Sequence, residues 1–289
     1  MKRFSAIILL CILFSGCQKK AILRGRLFTP VEPSATGIDF INRVEDSDQL
    51  NIIKYLYFYN GGGVAVGDIN NDGLPDIYFT SNLGPNKLYL NEGNLKFRDI
   101  TQQAKVAGTD NWTTGVTMAD VNGDGWLDIY VCEVGRYLHL KGRNRLYINN
   151  GNLTFTEQAE QYNLHFSGFA THASFFDYDR DGDLDVYLLN HSVHANYTFA
   201  DLALRYTPDE RSGDRLMRND GGVFTDVTQN AGILTGSLGY GLSVMISDLN
   251  QDGWPDIYVC NDFRENDYLY INNQDGTFRQ VIEISVPHT

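Results

Sequence analysis

Short runs of apolar residues recur along the chain from about residue 63, and polar, glycine-containing stretches separate them. Short runs rich in β-branched and aromatic residues are typical of β-strands. In four places two such runs flank an acidic loop. The runs before the loops are Val64–Val66, Val116–Met118, Ser174–Phe176 and Ser243–Ile246. The runs after the loops are Ile77–Phe79, Ile129–Val131, Val186–Leu188 and Ile257–Val259.

Two more runs complete each unit. The third ends in an asparagine that starts a glycine-containing turn, at Leu88–Asn91, Leu146–Asn149, Leu216–Asn219 and Leu269–Asn272. The fourth begins at Phe97, Phe155, Phe224 and Phe278. Each unit is therefore predicted to be a four-stranded antiparallel meander, which is one blade of a β-propeller. The predicted fold class is all-β, a β-propeller within residues 38–289 with four blades at about 63–101, 115–158, 173–228 and 241–282.

The acidic loops repeat one pattern, D-x-(D/N)-x-D-G-x-x-D, at residues 68–76, 120–128, 177–185 and 248–256. Their first aspartates are 52, 57 and 71 residues apart. These intervals are close to the repeat lengths of propeller proteins, which supports one blade per loop.

The loops have the chemistry of a calcium site, because Ca²⁺ takes six to eight oxygen ligands at flexible geometry. Positions 1, 3, 5 and 9 supply side-chain oxygens, position 7 supplies a backbone carbonyl, and the glycine at position 6 permits a sharp turn. The predicted ligands are Asp68, Asn70, Asp72, Asp76, Asp120, Asn122, Asp124, Asp128, Asp177, Asp179, Asp181, Asp185, Asp248, Asn250, Asp252 and Asp256. An EF-hand is excluded, since position 12 holds an apolar strand residue instead of glutamate.

The alternative is that these loops are turns without metal, which Asp, Asn and Gly form readily. Thirteen of the sixteen predicted ligands are acids, however, and their mutual repulsion is large without a cation. We therefore expect about four Ca²⁺ ions, one per blade. Each ion would fix the hairpin between the first two strands and couple folding to metal binding.

The four aligned units resemble the FG-GAP/VCBS repeat family, whose repeats also build the head of integrin α subunits. The resemblance runs from Gly63 to about Val281. The glycines at 61–63 and the segment Phe224–Thr228 are similar to exported bacterial relatives of the cartilage acidic protein group. The Phe-Gly pair of that repeat family is absent before the first strands, which weakens the integrin analogy. The resemblance implies a calcium-stabilised binding or adhesion module.

The four repeats do not by themselves determine how many blades the complete ring has. Ile38–Asn42 resembles the strand that ends each blade and would close the ring as the outermost strand of the last one. The fourth blade already has its own fourth strand at Phe278, so this segment would be left over. A larger ring, for example of seven blades, of which this chain is a part, is the favoured prediction. A complete four-bladed ring is the alternative.

The N-terminus predicts export. Lys2 and Arg3 precede an apolar run, Phe4–Phe14, that is too short to span a membrane, so residues 1–16 are a predicted signal peptide. The ending Ser15-Gly16-Cys17 resembles the bacterial lipobox, although Phe14 departs from its usual aliphatic residue. The resemblance implies lipidation of Cys17, residues 17–37 as a tether, and outer-membrane anchoring facing either the periplasm or the surface. Secretion with Cys17 as an incidental thiol is the alternative.

The chain is acidic, with a formal charge of −13, and loss of Lys2 and Arg3 leaves 21 basic residues against 36 acidic ones. Nucleic acid is therefore not an expected partner. Cys132 and Cys260 occupy the same strand position in the second and fourth blades. These blades are not neighbours, so two buried thiols are expected instead of a disulfide.

Partner contact is predicted for the longest insertion, Asn190–Asp214, because long loops on a rigid scaffold commonly carry binding. Its candidate residues are His191, His194, Tyr197, Phe199 and Tyr206. A solvated histidine pair and packing of the aromatics on the blade are the alternatives. No G-x-S-x-G or H-E-x-x-H motif is present, so we expect a non-catalytic module for a protein or glycan ligand at the envelope. An envelope enzyme acting on glycans, or its accessory subunit, is the alternative.

Overall fold

The computed structural model describes residues 27–108, 112–193, 202–263 and 265–285. Two compact units are distinguished, Met1–Glu32 and Pro33–Thr289, and every strand belongs to the second. Helix in the described ranges is limited to single turns: α1 (Pro33–Thr36), α2 (Thr101–Ala104), α3 (Ile282–Ser285) and a 3₁₀ turn at Leu202–Arg205. None of the described helices is long and apolar enough to cross a membrane.

Four antiparallel sheets follow one another along the chain, and the strands of each lie in sequence order. The first sheet contains β1 (Val64–Gly67), β2 (Asp76–Phe79), β3 (Lys87–Asn91) and β4 (Phe97–Asp99). The second contains β5 (Trp112–Ala119), β6 (Asp128–Tyr137), β7 (Leu140–Lys141), β8 (Arg145–Asn149) and β9 (Phe155–Glu157), with β7 paired to the end of β6. The third contains β10 (Ala170–Phe176), β11 (Asp185–Asn190), β12 (Arg215–Asn219) and β13 (Phe224–Asp226). The fourth contains β14 (Gly241–Ser247), β15 (Asp256–Asn261), β16 (Tyr268–Asn272) and β17 (Phe278–Gln280).

The predicted all-β architecture of four-stranded blades is therefore confirmed. The inner strands β5 and β10 begin about three residues before the expected blade starts at 115 and 173. A β-bulge interrupts the register of both strands near this point, between Thr113 and Val116 and between Ala170 and His172. A bulge breaks the two-residue alternation, which hides the continuation of the strand from the sequence pattern.

Consecutive sheets pack face to face through three apolar clusters. Each cluster takes a tyrosine and a leucine from the second and third strands of one sheet and branched residues from the next. The pairs are Tyr78 with Leu88, Tyr130 with Leu146, and Tyr187 with Leu216. All six side chains are at most 1% exposed. Stability in this arrangement comes from contacts between neighbouring repeats.

The outer face of the fourth sheet differs from the corresponding faces of the first three. None of the apolar clusters of the described residues joins this sheet to the first one. At position 2 of its acidic loop, the fourth sheet has Leu249, which is 40% exposed. The residues at the same position in the first and third loops, Ile69 and Tyr178, are 1% and 3% exposed. Met245 on the same face is 50% exposed. The four sheets thus form an array whose last face has no neighbouring sheet among the described residues.

The prediction of a strand at Ile38–Asn42 is wrong. This segment forms no strand and lies on the first sheet, where Phe40 stacks on Phe79 with ring centroids 4.9 Å apart. Asn42 donates a hydrogen bond to Asn82 (2.7 Å). The edge of the fourth sheet is already taken by β17, so the segment is held by side-chain contacts on a sheet face instead of by strand pairing.

Candidate metal-binding loops

The four acidic loops connect the first and second strands of each sheet and share one backbone conformation. Positions 4 and 6 have positive φ in every loop. Position 6 is glycine throughout, as the sequence predicts, and these four glycines have φ between 85° and 101°. Position 4 is glycine only in the second loop and is Asn71, Arg180 or Gln251 in the others. The left-handed conformation costs a non-glycine residue about 1–2 kcal/mol, so other interactions must hold these loops.

Hydrogen bonds from the backbone supply part of that support. In the second loop, Asp120 accepts from the N–H groups of Asp124 (3.1 Å) and Gly125 (2.8 Å), and Asp124 accepts from Trp126 N–H (2.9 Å). The first and fourth loops repeat this set. These three loops therefore have the hydrogen bonding of Asp/Asn turns that the alternative interpretation describes.

The aspartate at position 9 is fully buried and has a structural role in each blade. Asp128 accepts from Val121 N–H (2.9 Å) with one oxygen and from Asn149 N–H (2.8 Å) with the other. The equivalent bonds form at Asp76, Asp185 and Asp256. Burial raises the pKa of Asp128 to about 6 and that of Asp185 to about 7. This residue ties the loop to the third strand, a role that the ligand interpretation missed.

The asparagine that ends each third strand completes this tie, and in the second and fourth blades it extends the tie to the preceding blade. Asn149 donates through its side-chain amide to Leu127 O (3.0 Å) in its own blade and to Ile69 O (2.8 Å) in the preceding blade. Asn272 bonds in the same way to Tyr178 O (2.9 Å) of the third blade. The repetition of Asp and Asn at fixed places in all four units was the sequence signal for this contact.

The third loop differs from the others at position 3. In the other three loops an asparagine donates to the position-5 aspartate at 2.9 Å. In the third loop Asp179 replaces it, and one oxygen each of Asp177, Asp179 and Asp185 lie within 4.8 Å of one another. One oxygen of Asp177 and one of Asp179 are buried and have no hydrogen-bond partner among the described residues. Burial and the neighbouring Asp181 charge raise the pKa of Asp179.

Buried carboxylate oxygens without partners are unfavourable unless a cation or a donor satisfies them. All the donors in this cluster are hard oxygens, which suit Ca²⁺ better than a transition metal. The structure thus brings the predicted ligands together most closely in the third loop. In the other loops the asparagine amide donates to the position-5 aspartate instead.

Adjacent loops contact each other. Asn71 donates to Gly125 O of the second loop (3.0 Å), and the Arg180 guanidinium lies 5.0 Å from the Trp254 ring centre of the fourth loop. The arginine contact occupies one face of Trp254, so the tryptophan serves loop packing. These contacts join the first loop to the second and the third loop to the fourth, so order in one loop of each pair can support the other.

The candidate residues of the Asn190–Asp214 insertion are separated by the fold. His191 is fully buried, so the expectation of a solvated histidine is wrong. Its Nε2 accepts from Tyr55 Oη (2.9 Å), its Nδ1 donates to Ser192 O (3.0 Å), and its ring stacks on Tyr57 at 4.1 Å. Burial lowers the pKa of His191 to about 4, so the ring is neutral. Tyr206 is 69% exposed.

Four predicted residues, Cys17, His194, Tyr197 and Phe199, lie outside the described residues. The two thiols in the sheets are free, as expected, with Cys132 buried and Cys260 partly exposed.

Fold and loops together define a repeat protein built of propeller-type blades with acidic inter-strand loops. A family profile described as FG-GAP-like repeat matches residues 68–131, 137–188, 199–259 and 248–289. These matches cover well over half of the chain, which belongs to the FG-GAP-like repeat family.

Among curated proteins the chain is similar to cartilage acidic protein 1. It is 35% identical to the Xenopus tropicalis protein over 145 residues, covering 49% of this chain and 21% of that protein. It is 32% identical to the Mus musculus protein over 179 residues (57% and 27%) and 31% identical to the Homo sapiens protein over 182 residues (58% and 26%). The chain thus spans about a quarter of the length of these relatives. Among solved structures, the Tc holotoxin pore of Photorhabdus luminescens aligns with 75% of this chain and 9% of that chain at 16% identity, with a TM-score of 0.32.

Proposed function

We propose that this protein is a non-catalytic binding and adhesion module whose blades are stabilised by calcium and which a lipid on Cys17 anchors to the bacterial outer membrane. The observation that carries the calcium part is the third loop, where two buried carboxylate oxygens have no hydrogen-bond partner in the described part of the chain. The family and its repeated blades support a role in binding.

The ion has a structural role in this proposal. The third loop joins β10 to β11, and its Arg180 contacts the fourth loop through Trp254. Asp177, Asp179 and Asp185 would hold the ion. By neutralising their mutual repulsion, it would stabilise the folded chain by an amount that grows with the logarithm of the calcium concentration once that concentration exceeds the dissociation constant.

The chain offers a matched pair of variants to test calcium binding. At the predicted ligand positions 1, 3, 5 and 9, Asp179→Asn gives the third loop the residues of the second, and Asn122→Asp gives the second loop those of the third. We expect calcium to raise the melting temperature of the parent, Asp179→Asn to reduce that increase, and Asn122→Asp to enlarge it. Differential scanning calorimetry with calcium and with EDTA measures all three. An identical melting temperature for the parent under both conditions, with no calcium found by elemental analysis, would refute the calcium proposal.

The anchoring part rests on the sequence Ser15-Gly16-Cys17 after a short apolar run. Cys17→Ser should move the protein from the membrane fraction to the soluble fraction and abolish incorporation of labelled fatty acid. The matched control is Cys11→Ser, which lies in the signal segment and should leave both readouts unchanged. Unchanged membrane partitioning of Cys17→Ser argues against lipid anchoring.

The partner is proposed to be a protein or glycan at the envelope. The described part of the insertion contacts residues in and next to the fourth blade. Arg205 forms an ion pair with Glu265 (2.6 Å), and Ser237 N–H donates to Leu204 O (3.1 Å). Tyr206 remains exposed beside this anchored stretch, so it is the described candidate for contact.

A further inference from the structure

A cleft lies between the second and third sheets, and none of its lining residues belongs to the acidic loops. Its volume is about 520 Å³, which is within the range of small-molecule sites. Buried Leu164, Leu188 and Met217 form its apolar floor. We call this site the inter-blade cleft and define it by its charged and aromatic lining: Arg136, Arg143, His165, Phe166, Glu210, Arg215 and Asp226.

Three arginines and two carboxylates, those of Glu210 and Asp226, line the inter-blade cleft, so its charged groups sum to one positive charge on a chain whose formal charge is −13. The Arg143 side chain is exposed and has no ion pair with any described residue. Arg136 faces Glu210 at 3.5 Å, and the two side chains are 53% and 82% exposed. An exposed pair of this kind is weak, so the guanidinium group of Arg136, like that of Arg143, is available to bind another anion.

Arg215 is the fixed element of the cleft. Its guanidinium forms an ion pair with Asp226 (2.6 Å), donates to Glu210 O (2.9 Å) and lies 4.6 Å from the Phe166 ring centre. Its Nε is buried without a hydrogen-bond partner among the described residues, and so is Nδ1 of His165. Buried polar nitrogens of this kind need a partner, and both belong to residues that line the cleft.

We propose that the inter-blade cleft binds an acidic sugar, with its oxyanion on Arg143 and Arg136 and its hydroxyl groups on Glu210 and Asp226. Arginine matches the geometry of a carboxylate or sulfate, and carboxylates are good acceptors for sugar hydroxyls. The sugar ring has the apolar floor to pack against. A polyanion is disfavoured, because the acidic chain repels extended negative charge.

The proposal deepens the binding role stated above and rests on it. Calcium stabilisation is measured by melting and sugar binding by titration, so the failure of one is distinguishable from the failure of the other. Both experiments use the same folded protein, with calcium present during titration.

Isothermal titration with glucuronate, glucose 6-sulfate, glucose and acetate tests the cleft. We expect glucuronate or glucose 6-sulfate to bind at least tenfold more tightly than glucose and acetate, and the tighter of the two identifies the oxyanion. Arg143→Gln should weaken this binding at least tenfold. The control Arg279→Gln, an exposed arginine on the fourth sheet, should leave it unchanged.

Two results would overturn the proposal. The first is that neither acidic sugar binds more tightly than glucose and acetate. The second is that Arg143→Gln and Arg279→Gln bind the acidic sugar equally well, which would place the site elsewhere. Because Arg143 is exposed, its variant is expected to fold, and its melting temperature verifies this.

Discussion

Burial determines the protonation of several carboxyl groups inside the blades. Asp214 accepts from the Tyr187 hydroxyl (2.8 Å) and from Asn190 N–H (2.8 Å), and it is 6% exposed. Its removal from water raises its pKa to about 7, because two hydrogen bonds do not replace full hydration of the charge. The folded protein thus binds a proton at Asp214 more tightly than the unfolded chain does.

The contribution of Asp214 to the free energy of unfolding falls as the pH rises. With a raised folded-state pKa, Asp214 contributes stability that is fully present below pH 4 and is lost as the pH rises through about 7. Asp214→Asn keeps an acceptor for Asn190 N–H and does not titrate. We expect the parent to lose about 1.3 kcal/mol more per pH unit than the variant between pH 5 and 6, and about half of the full slope by pH 7, where half of the folded molecules have lost this proton. Urea unfolding at fixed excess calcium measures this difference.

The exposed Asp48→Asn serves as the control, since it removes one carboxyl without touching the blades. It should show the pH dependence of the parent. If Asp214→Asn has the same slope as the parent and the control, Asp214 is ionised in the folded protein throughout this range.

Within a blade, the repeated hydrogen bonds at position 9 matter more to the fold than the outer loop residues do. Asp128 begins β6, and its two oxygens hold the N–H groups of Val121 in the loop and Asn149 in β8. Asp124, by contrast, is exposed and accepts from the N–H of Trp126 inside the loop. The same loop thus contains one carboxylate that ties strands together and one that shapes the turn.

Two alanine variants separate these roles. Without calcium, Asp128→Ala leaves two backbone N–H groups without acceptors, and we expect it to lower the free energy of unfolding by about 2–4 kcal/mol. Asp124→Ala should lower it by less than about 1 kcal/mol in the same buffer, because its bond is exposed. Equilibrium denaturation in EDTA gives both values. Equal losses would show that position 9 has no special structural role.

The strands and loops of the blades were predictable because one pattern occurs four times, and repetition distinguishes a blade from a chance run of apolar residues. The structural role of Asp128 was not predictable, since the same side chain suits a predicted metal ligand and a backbone acceptor. The Ile38–Asn42 segment was misjudged for a related reason. An apolar pattern shows that a segment is held against the protein, but it does not distinguish strand pairing from stacking of Phe40 on Phe79.

For the whole molecule, the decisive feature is that each sheet is covered by the next one. Equivalent leucines on the third strands, Leu88, Leu146 and Leu216, are completely buried by the following sheet. Leu269 occupies this position in the fourth sheet and is partly exposed, beside Met245, which is half exposed. The fourth sheet therefore buries its inner face against the third sheet. Among the described residues, no further sheet packs on its outer face.

This asymmetry predicts unequal effects of one substitution at two equivalent sites. Leu216→Ala removes a fully buried side chain between two sheets and should lower the free energy of unfolding by about 2–5 kcal/mol. Leu269→Ala removes the same atoms from a face that is partly in water and should cost less than about 1.5 kcal/mol, because it leaves no closed cavity. Chemical denaturation in saturating calcium measures both changes, with Leu146→Ala as a second buried reference. Equal losses at Leu216 and Leu269 would mean that another surface covers the fourth sheet in solution, and sedimentation velocity would then show whether that surface belongs to a second copy of the chain.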